Sequence, residues 1–324
     1  HEPIVTVRGP IIQAQFIETM LLLIINHQSL IATKANRIVR AADRRDVVEF
    51  GARRAHGADG ALYGARAAYI GGCVGTSLTM AQQRFGIPAC GTMAHSWIQA
   101  FDSELEAFRA YASTYPNDCV LLVDTYNTLH SGVPNAIKAF DDVLKPMGVR
   151  PKAIRIDSGD ITYLSKKARR MLDEGGYPDC HIMVTNSLDE YLIRDMLLQG
   201  AKVDTFGVGE RLITSSSSPV FGGVYKLSAV ESEGRMVSRV KISDNIQKLT
   251  LPGMKTVYRL FDREVGKAIA DLITMSDEQL DENQPYELFD PDHTWKRKTV
   301  SGFVARRLQQ PVFLGGRCVM HCPT

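Results

Sequence analysis

Several short stretches of this chain group charged, aromatic and glycine residues in ways suited to binding or transferring an anionic group. In Glu49-Phe50-Gly51-Ala52-Arg53-Arg54-Ala55-His56-Gly57, an aromatic ring is followed three residues later by an arginine. At the end of a strand, that pair could hold a small flat anion, the ring stacking on it and the guanidinium pairing with its carboxylate. The competing reading is that Arg53 and Arg54 only make salt bridges on a barrel rim. In Arg155-Ile156-Asp157-Ser158-Gly159-Asp160, strand alternation puts Arg155 and Asp157 on one face. Such a pair could bind a sugar diphosphate and its magnesium, arginine to phosphate and Asp157 and Asp160 to metal-bound water or to hydroxyls. It could also be a structural ion pair. Thr185-Asn186-Ser187-Leu188-Asp189 and Phe206-Gly207-Val208-Gly209-Glu210 follow two late apolar runs. Loops there commonly seat a phosphate on backbone amides, and the competing reading is a tight strand-to-helix turn. His95, in Gly91-Thr92-Met93-Ala94-His95-Ser96-Trp97, could serve as a base, as a phosphoryl acceptor, or only as a hydrogen-bonded loop histidine. Asp124 ends the apolar run Cys119–Val123 and could orient a catalytic group or pair with Arg53 or Arg155. Lys34 and His27 read as core-edge residues of a long helix.

The elements that must position these groups show an α/β rhythm. Short apolar runs occur at Val47–Gly51, Tyr69–Cys73, Ala89–Met93, Cys119–Tyr126, Ala153–Asp160, His181–Asn186 and Thr205–Gly209. Helical patterns lie between them at Leu105–Ala112, Asn135–Leu144, Leu164–Leu172 and Leu188–Leu198. Two Ser-x-x-Glu capping boxes, Ser103–Glu106 and Ser187–Glu190, are expected to open helices. Strands alternating with helices imply βαβ units and a parallel sheet, and seven such strands suit a closed or nearly closed barrel, whose strand ends converge on one mouth, better than an open sheet. Residues 1–9 read as a strand. Ile11 to about Ala42 reads as one long apolar helix or two, interrupted near Gln28 and Thr33-Lys34, buried in a core or at a subunit interface. After a serine run at Ser215–Ser218, the runs Val224–Val230, Val237–Ile242, Thr256–Phe261 and Gly266–Ile273 suggest antiparallel strands. The expected division is a barrel domain over 10–218 and a smaller mixed or antiparallel β domain from 1–9 and 219–324. Residues 277–292 read as acidic and solvated, and 293–298 as a basic surface strand or loop.

Composition narrows the classes. The chain has 324 residues, 44% hydrophobic and 23% charged, with a net charge of +2, which gives no footing for a nucleic-acid binder. Six cysteines in this length make no disulfide framework, and Cys73, Cys90 and Cys119 read as reduced core thiols of a cytoplasmic protein. Cys318-x-x-His321-Cys322 has no second cluster to complete a metal site and reads as terminal packing. The densest apolar run, Met20–Ile25, is too short to span a bilayer, so no membrane partner is expected. Opening at His1 inside a strand-like run and stopping at Thr324, the chain reads as a fragment or an incomplete chain. No Gly-x-Gly-x-x-Gly turn follows an early strand, which argues against a dinucleotide fold.

Taken together, Glu49–Arg54, Tyr69-Ile70-Gly71-Gly72-Cys73-Val74-Gly75-Thr76-Ser77, Gly91–Trp97, Arg155–Asp160, Asn186–Glu190 and Phe206–Glu210 resemble the nicotinate phosphoribosyltransferase family, of the bacterial type. The similarity runs in order from Gln28-Ser29-Leu30-Ile31-Ala32-Thr33-Lys34 to Trp295-Lys296-Arg297-Lys298. The resemblance implies the type II phosphoribosyltransferase fold, an irregular α/β barrel with a mixed-sheet domain from both chain ends, working as a homodimer. It implies that nicotinate and phosphoribosyl pyrophosphate give nicotinate mononucleotide, with Mg²⁺ as cofactor and ATP as co-substrate. It assigns phosphorylation to His95, and the stacking and carboxylate positions for the base to Phe50 and Arg53. It assigns the sugar diphosphate and its magnesium to Arg155, Asp157 and Asp160, and the product phosphate to Asn186, Ser187, Gly207 and Gly209. Nicotinamide-using relatives carry Asp where Ser77 stands. An Asp would repel a carboxylate, so Ser77 favours nicotinate. The family's N-terminal portion, with an aromatic that stacks on the base from the partner subunit, has no match here. A catalytically incomplete nucleotide-binding relative and another phosphosugar barrel enzyme are the alternatives.

Overall fold

The computed structural model describes residues 2–242 and 250–320. Residues 21–223 form one compact unit, and the chain up to Met20 together with the chain from Val224 forms another. Two helices lead in, α1 (Ile11–Phe16) and α2 (Glu18–Ala41). In the first unit, six parallel strands form a curled half-barrel sheet in the order β2-β1-β6-β5-β4-β3. They are β1 (Asp46–Glu49), β2 (Gly75–Thr76), β3 (Val120–Leu122), β4 (Ala153–Ile156), β5 (His181–Val184) and β6 (Thr205–Val208). Between them run α3 (Ala58–Ile70), α4 (Thr79–Phe85), α5 (His95–Gln99), α6 (Glu104–Thr114), α7 (Val133–Ala139), α8 (Ile161–Glu174) and α9 (Glu190–Leu198), and α10 (Glu210–Ile213) follows β6. Leu121, Leu122, Ile154, Ile156, Ile182, Val184, Phe206 and Val208 are all buried. Strands covered on both faces read as continuous apolar runs, which is why these were legible in the sequence.

Several expectations are corrected. Tyr69–Cys73 is not a strand: the alanine-rich α3 runs through Ile70, and the chain turns at Gly72, whose φ is +108°. The strand lies just beyond, at Gly75–Thr76. Ala89–Met93 contributes only a parallel bridge between Ala89 and Thr76, since Pro88 has no N–H with which to extend a ladder. The sheet therefore has six strands where seven runs were counted. Residues 2–9 form no strand. They are held by side chains instead: Gln309 donates to the Pro3 carbonyl and to Thr6 Oγ1, and Arg8 Nη2 donates to Glu231 Oε2 at 2.9 Å. The break in the long helix falls at Ile17 and not near Gln28 or Lys34, because those polar residues have partners on neighbouring elements. Gln28 Oε1 accepts from Arg66 on α3, and Lys34 is engaged by Glu190 on α9. Only the second half of α2 is buried (Ile31, Lys34, Ala35, Ile38), while Leu23 and Ile24 are exposed. Over Ile11–Ala41 the helical stretch is long and apolar enough to cross a membrane by length and composition, which the run Met20–Ile25 taken alone did not suggest.

The helix expected at Asn135–Leu144 begins earlier. A π-helical turn at Thr128–Gly132, capped by Asn127, feeds α7. Gly132 lies so close to β3 that a Cβ there would stand 1.8 Å from the Val123 carbonyl oxygen. Gly132→Ala must push backbone away from the segment that carries Asp124. It is expected to lower the unfolding free energy by about 3 kcal/mol, read from denaturant melts.

The second unit is antiparallel, as expected. β7 (Ala229–Ser232) and β8 (Arg235–Ser238) form a hairpin whose turn residues Glu233 and Gly234 both have positive φ. β9 (Lys255–Asp262) lies between β10 (Ala268–Met275) and β13 (Phe303–Arg307). β11 (Tyr286–Phe289) pairs with β12 (Arg297–Val300), so the acidic stretch contains a strand and is not wholly solvated. Leu260, Leu272, Val300 and Phe303 make a small core. Cys318 is exposed, and the remainder of the Cys318-x-x-His321-Cys322 motif lies outside the described residues.

Candidate active site

The parallel register determines which strand exits meet. Leu122 pairs with Arg155 and Ile156 with Val184, so Asp124, Asp157 and Thr185 follow their strands side by side. Arg155 and Asp157 do share a face. Arg155 Nη2 donates to Asp157 Oδ1 at 2.9 Å, Nε to Thr185 Oγ1 at 3.0 Å and Nη1 to Thr92 Oγ1 at 2.7 Å. The Thr185 hydroxyl also donates to Asp157 Oδ1. The Arg155 guanidinium lies 5.7 Å from the centroid of the Phe50 ring. The Arg155 and Asp157 side chains are 14% and 26% exposed, so this is an ion pair that still faces the mouth rather than one sealed in a core.

Thr92 connects this cluster to the histidine loop. His95 Nε2 lies 3.2 Å from Asp124 Oδ1. The other Asp124 oxygen accepts from the Asp157 amide at 3.0 Å and from Ser158 Oγ at 2.6 Å. The Asp124 side chain is 2% exposed and that of His95 40% exposed, so a buried carboxylate orients an accessible imidazole. Of the partners open to Asp124 from sequence, the structure gives it the imidazole of His95. Its recorded partners include neither Arg53 nor Arg155.

Phe50 is held by the neighbouring strand. Its amide donates to the Val208 carbonyl at 2.8 Å. Gly207 is needed beside it, since a Cβ there would stand 2.6 Å from Thr185 Cγ2 and 3.0 Å from the Phe50 ring. Below the turn sits Glu49, fully buried, accepting from the Gly51 amide and, at 2.6 Å, from Thr76 Oγ1. Burial pushes its carboxyl above the usual range, and these two bonds oppose that shift. The Ser77 amide donates to the Glu49 carbonyl at 2.8 Å, which sets Ser77 beside the Phe50 turn. Arg53 and Arg54 lie on a short 3-10 turn, Ala52–Arg54. Arg54 pairs with Glu210 at 3.2 Å, whereas Arg53 is exposed and forms no ion pair among the described residues.

Asn186 and Ser187 have φ of +90° and +45° in the loop after β5. Non-glycine residues held in this region are often functional. The cap of α9 is Asp189, not Ser187 as the capping-box reading had it. Its Oδ1 accepts from the Tyr191 and Leu192 amides, and its Oδ2 from Arg211. Burial pushes the Asp189 carboxyl up, but the Leu192 amide and Arg211 outweigh it and hold it below the usual range. Ser187 is free of the cap and donates its hydroxyl to Glu210 Oε1 at 3.3 Å. Asp160 caps α8, accepting from the Tyr163 amide at 3.0 Å.

Sequence reasoning missed Thr92 and Thr185 as partners of Arg155, and it undervalued Lys34. Lys34 is 3% exposed and donates to Glu190 Oε2 at 2.6 Å and to Ser217 Oγ at 3.0 Å. Removing one partner of a buried pair strands the other charge. Lys34→Met is therefore expected to cost about 3 kcal/mol in chemical denaturation, and adding Glu190→Leu to recover most of it. Burial pushes the thiols of Cys73, Cys119 and Cys180 up to about 12, so none is a nucleophile near neutrality.

A family model described as the nicotinate phosphoribosyltransferase (NAPRTase) family matches residues 46–265, and the nicotinate phosphoribosyltransferase C-terminal domain model matches residues 254–324. A nicotinate phosphoribosyltransferase of Bacillus subtilis is 47% identical over 98% of this chain, and one of Dictyostelium discoideum is 36% identical over 99%. The chain spans 64% and 63% of the length of these relatives. Among solved structures, human nicotinic acid phosphoribosyltransferase is similar with a TM-score of 0.81 at 26% identity, over 97% of this chain and 69% of that one. The nicotinate-nucleotide pyrophosphorylase of Pyrococcus furiosus is similar with a TM-score of 0.70 at 28% identity, over 94% of this chain and 69% of that one. The half-barrel, the Arg155–Asp157 and His95–Asp124 pairs at its strand exits, and a family match covering those residues converge: this chain belongs to the nicotinate phosphoribosyltransferase family.

Proposed function

We propose that this chain carries the transfer site of a nicotinate phosphoribosyltransferase, forming nicotinate mononucleotide and pyrophosphate from nicotinate and phosphoribosyl pyrophosphate. The observation that carries the reading is the continuous set of contacts Phe50–Arg155–Asp157, with Arg155 bonded to Thr92 in the loop of His95. An aromatic face, a partly exposed guanidinium and an oriented imidazole are what a flat acid, a diphosphate and a phosphoryl group each require.

In the proposed reaction the pyridine nitrogen attacks C1′ while the C1′–O bond to pyrophosphate breaks, its electron pair leaving on the pyrophosphate oxygen. No strong base is needed, because the nitrogen lone pair is free. The chain must hold nicotinate in line behind C1′ and neutralise the leaving group. Phe50 stacks on the ring, Arg53 takes the carboxylate, and Ser77 tolerates it where an aspartate would repel it. Arg155 faces the diphosphate, and Asn186, Ser187, Gly207 and Gly209 receive the ribose phosphate.

A Mg²⁺ ion fits the acidic residues here. Asp157 commits one oxygen to Arg155 and Thr185, and Asp160 one to the Tyr163 amide, which leaves a second oxygen on each for metal-bound water. Bound there with the diphosphate, the ion would supply positive charge to the departing pyrophosphate. Among the described residues no cluster of three or more such ligands forms an all-protein cage, in keeping with a metal that arrives with its substrate.

ATP enters through His95. With Nε2 facing Asp124, the imidazole keeps its N–H there and presents the Nδ1 lone pair to the γ-phosphorus, from which ADP departs. The exposed Leu23 and Ile24 on α2 are consistent with a homodimer in which a partner covers them, and the free, buried thiols with a cytoplasmic enzyme.

Incubating the protein with nicotinate, phosphoribosyl pyrophosphate, ATP and Mg²⁺ and weighing the product by mass spectrometry tests the proposal. Nicotinate mononucleotide is expected. Binding of the mononucleotide without turnover would reduce the chain to a nucleotide-binding relative. Arg53→Ala is expected to raise the KM for nicotinate about ten- to a hundredfold and to leave that for phosphoribosyl pyrophosphate nearly unchanged. Equal effects on both would remove Arg53 from the base position.

A further inference from the structure

We infer that Glu210 is a placeholder anion in the phosphate seat between the β5 and β6 exits, and that its carboxylate must leave Ser187 before a phosphate can bind. The inference rests on the transferase reading above, in which the loops at Asn186–Ser187 and Gly207–Gly209 receive the ribose phosphate. One Glu210 oxygen accepts from Ser187 Oγ at 3.3 Å and the other from Arg54 Nη1 at 3.2 Å. A hydroxyl donor and a guanidinium beside the seat are thus both engaged by one carboxylate, placed as two phosphate oxygens would be. Arg211, next to Glu210 on α10, is taken by Asp189. The positive φ of Asn186 and Ser187 belongs to the loop that presents the Ser187 hydroxyl toward the β6 exit.

The energetics favour displacement. The Glu210 side chain is 39% exposed and that of Arg54 60% exposed, and an ion pair so open to water contributes little stability. Turning Glu210 into solvent therefore costs little. Leaving it in place beside a phosphate would put like charges within contact distance, where each weakens the other's binding. Glu210 then acts as a specificity-determining residue. It lowers the affinity for every ligand that carries a phosphate there, leaves phosphate-free ligands untouched, and favours release of the product nucleotide.

The test is Glu210→Gln, which keeps the size of the side chain and an acceptor for Ser187 but removes the charge. Calorimetric titration at fixed ionic strength compares nicotinate mononucleotide with nicotinate riboside, which has the same base and sugar without the phosphate. The variant is expected to bind the mononucleotide about tenfold more tightly and the riboside unchanged. Equal or weaker mononucleotide binding, or the same gain for both ligands, overturns the role of Glu210 while leaving the transferase reading intact. If the unsubstituted protein binds neither ligand, the transferase reading falls and Glu210's role with it.

Discussion

Arg155→Ala is expected to slow phosphoribosyl transfer about a thousandfold, since losing one preorganised donor to developing negative charge typically costs that much. Arg155 does more than donate. It is bonded to Thr185 on the β5 side, to Thr92 in the histidine loop and to Asp157 in its own segment, and it faces the Phe50 ring. Alanine would leave Asp157 with only the Thr185 hydroxyl as a side-chain partner and release the Thr92 loop. Lysine should not restore the rate, because one ammonium cannot reach three acceptors in the planar fork that a guanidinium provides. Initial rates of mononucleotide formation, with a thermal melt to show that the variant is folded, check this. A loss under tenfold would mean that Arg155 is a structural residue.

The second large effect is expected at Asp124→Asn. The aspartate fixes the His95 tautomer through one oxygen and holds the Asp157 amide and the Ser158 hydroxyl through the other. An asparagine has only one acceptor oxygen. If that oxygen stays with Asp157 and Ser158, its NH₂ group faces His95 Nε2, which must then become the acceptor. The imidazole proton moves to Nδ1, the atom proposed to attack ATP. The ATP-stimulated rate is expected to fall about a thousand- to ten-thousandfold, the upper figure being what the wrong tautomer costs a histidine–aspartate–serine triad. His95→Ala separates the two halves of the account: it should keep weak, unstimulated transfer and lose phosphorylation altogether. Full ATP stimulation in His95→Ala would remove histidine from the coupling.

How much of this was legible follows from what a residue's neighbours in the chain can reveal. Apolar runs such as Val120–Leu122 and Ile182–Val184 announce buried parallel strands because burial on both faces suppresses polar residues. Arg155 and Asp157 could be placed on one face from the strand period alone. Thr92 and Thr185 could not be linked to Arg155, for they lie 63 and 30 residues away and carry no charge to mark them. Tyr69–Cys73 misled because an apolar helix end and a buried strand share a composition, and only the turn at Gly72 separates them. Ser187 misled in the opposite way. Its sequence fits a helix cap, but α9 starts two residues later, where Asp189 accepts from the Tyr191 and Leu192 amides, which leaves the serine hydroxyl to meet Glu210. Lys34 reads only as a core-edge residue of the long helix until α9 brings Glu190 to it from 156 residues away.

The transferase reading depends on the β1, β4, β5 and β6 exits acting together on one nucleotide. A crystal structure of the protein with nicotinate mononucleotide addresses this most directly. The pyridine ring is expected against Phe50 with its carboxylate toward Arg53, the ribose near Asp157, and the phosphate at Ser187 and Gly209 with Glu210 turned away. A mononucleotide bound elsewhere, or one touching only one of these strand exits, would contradict it.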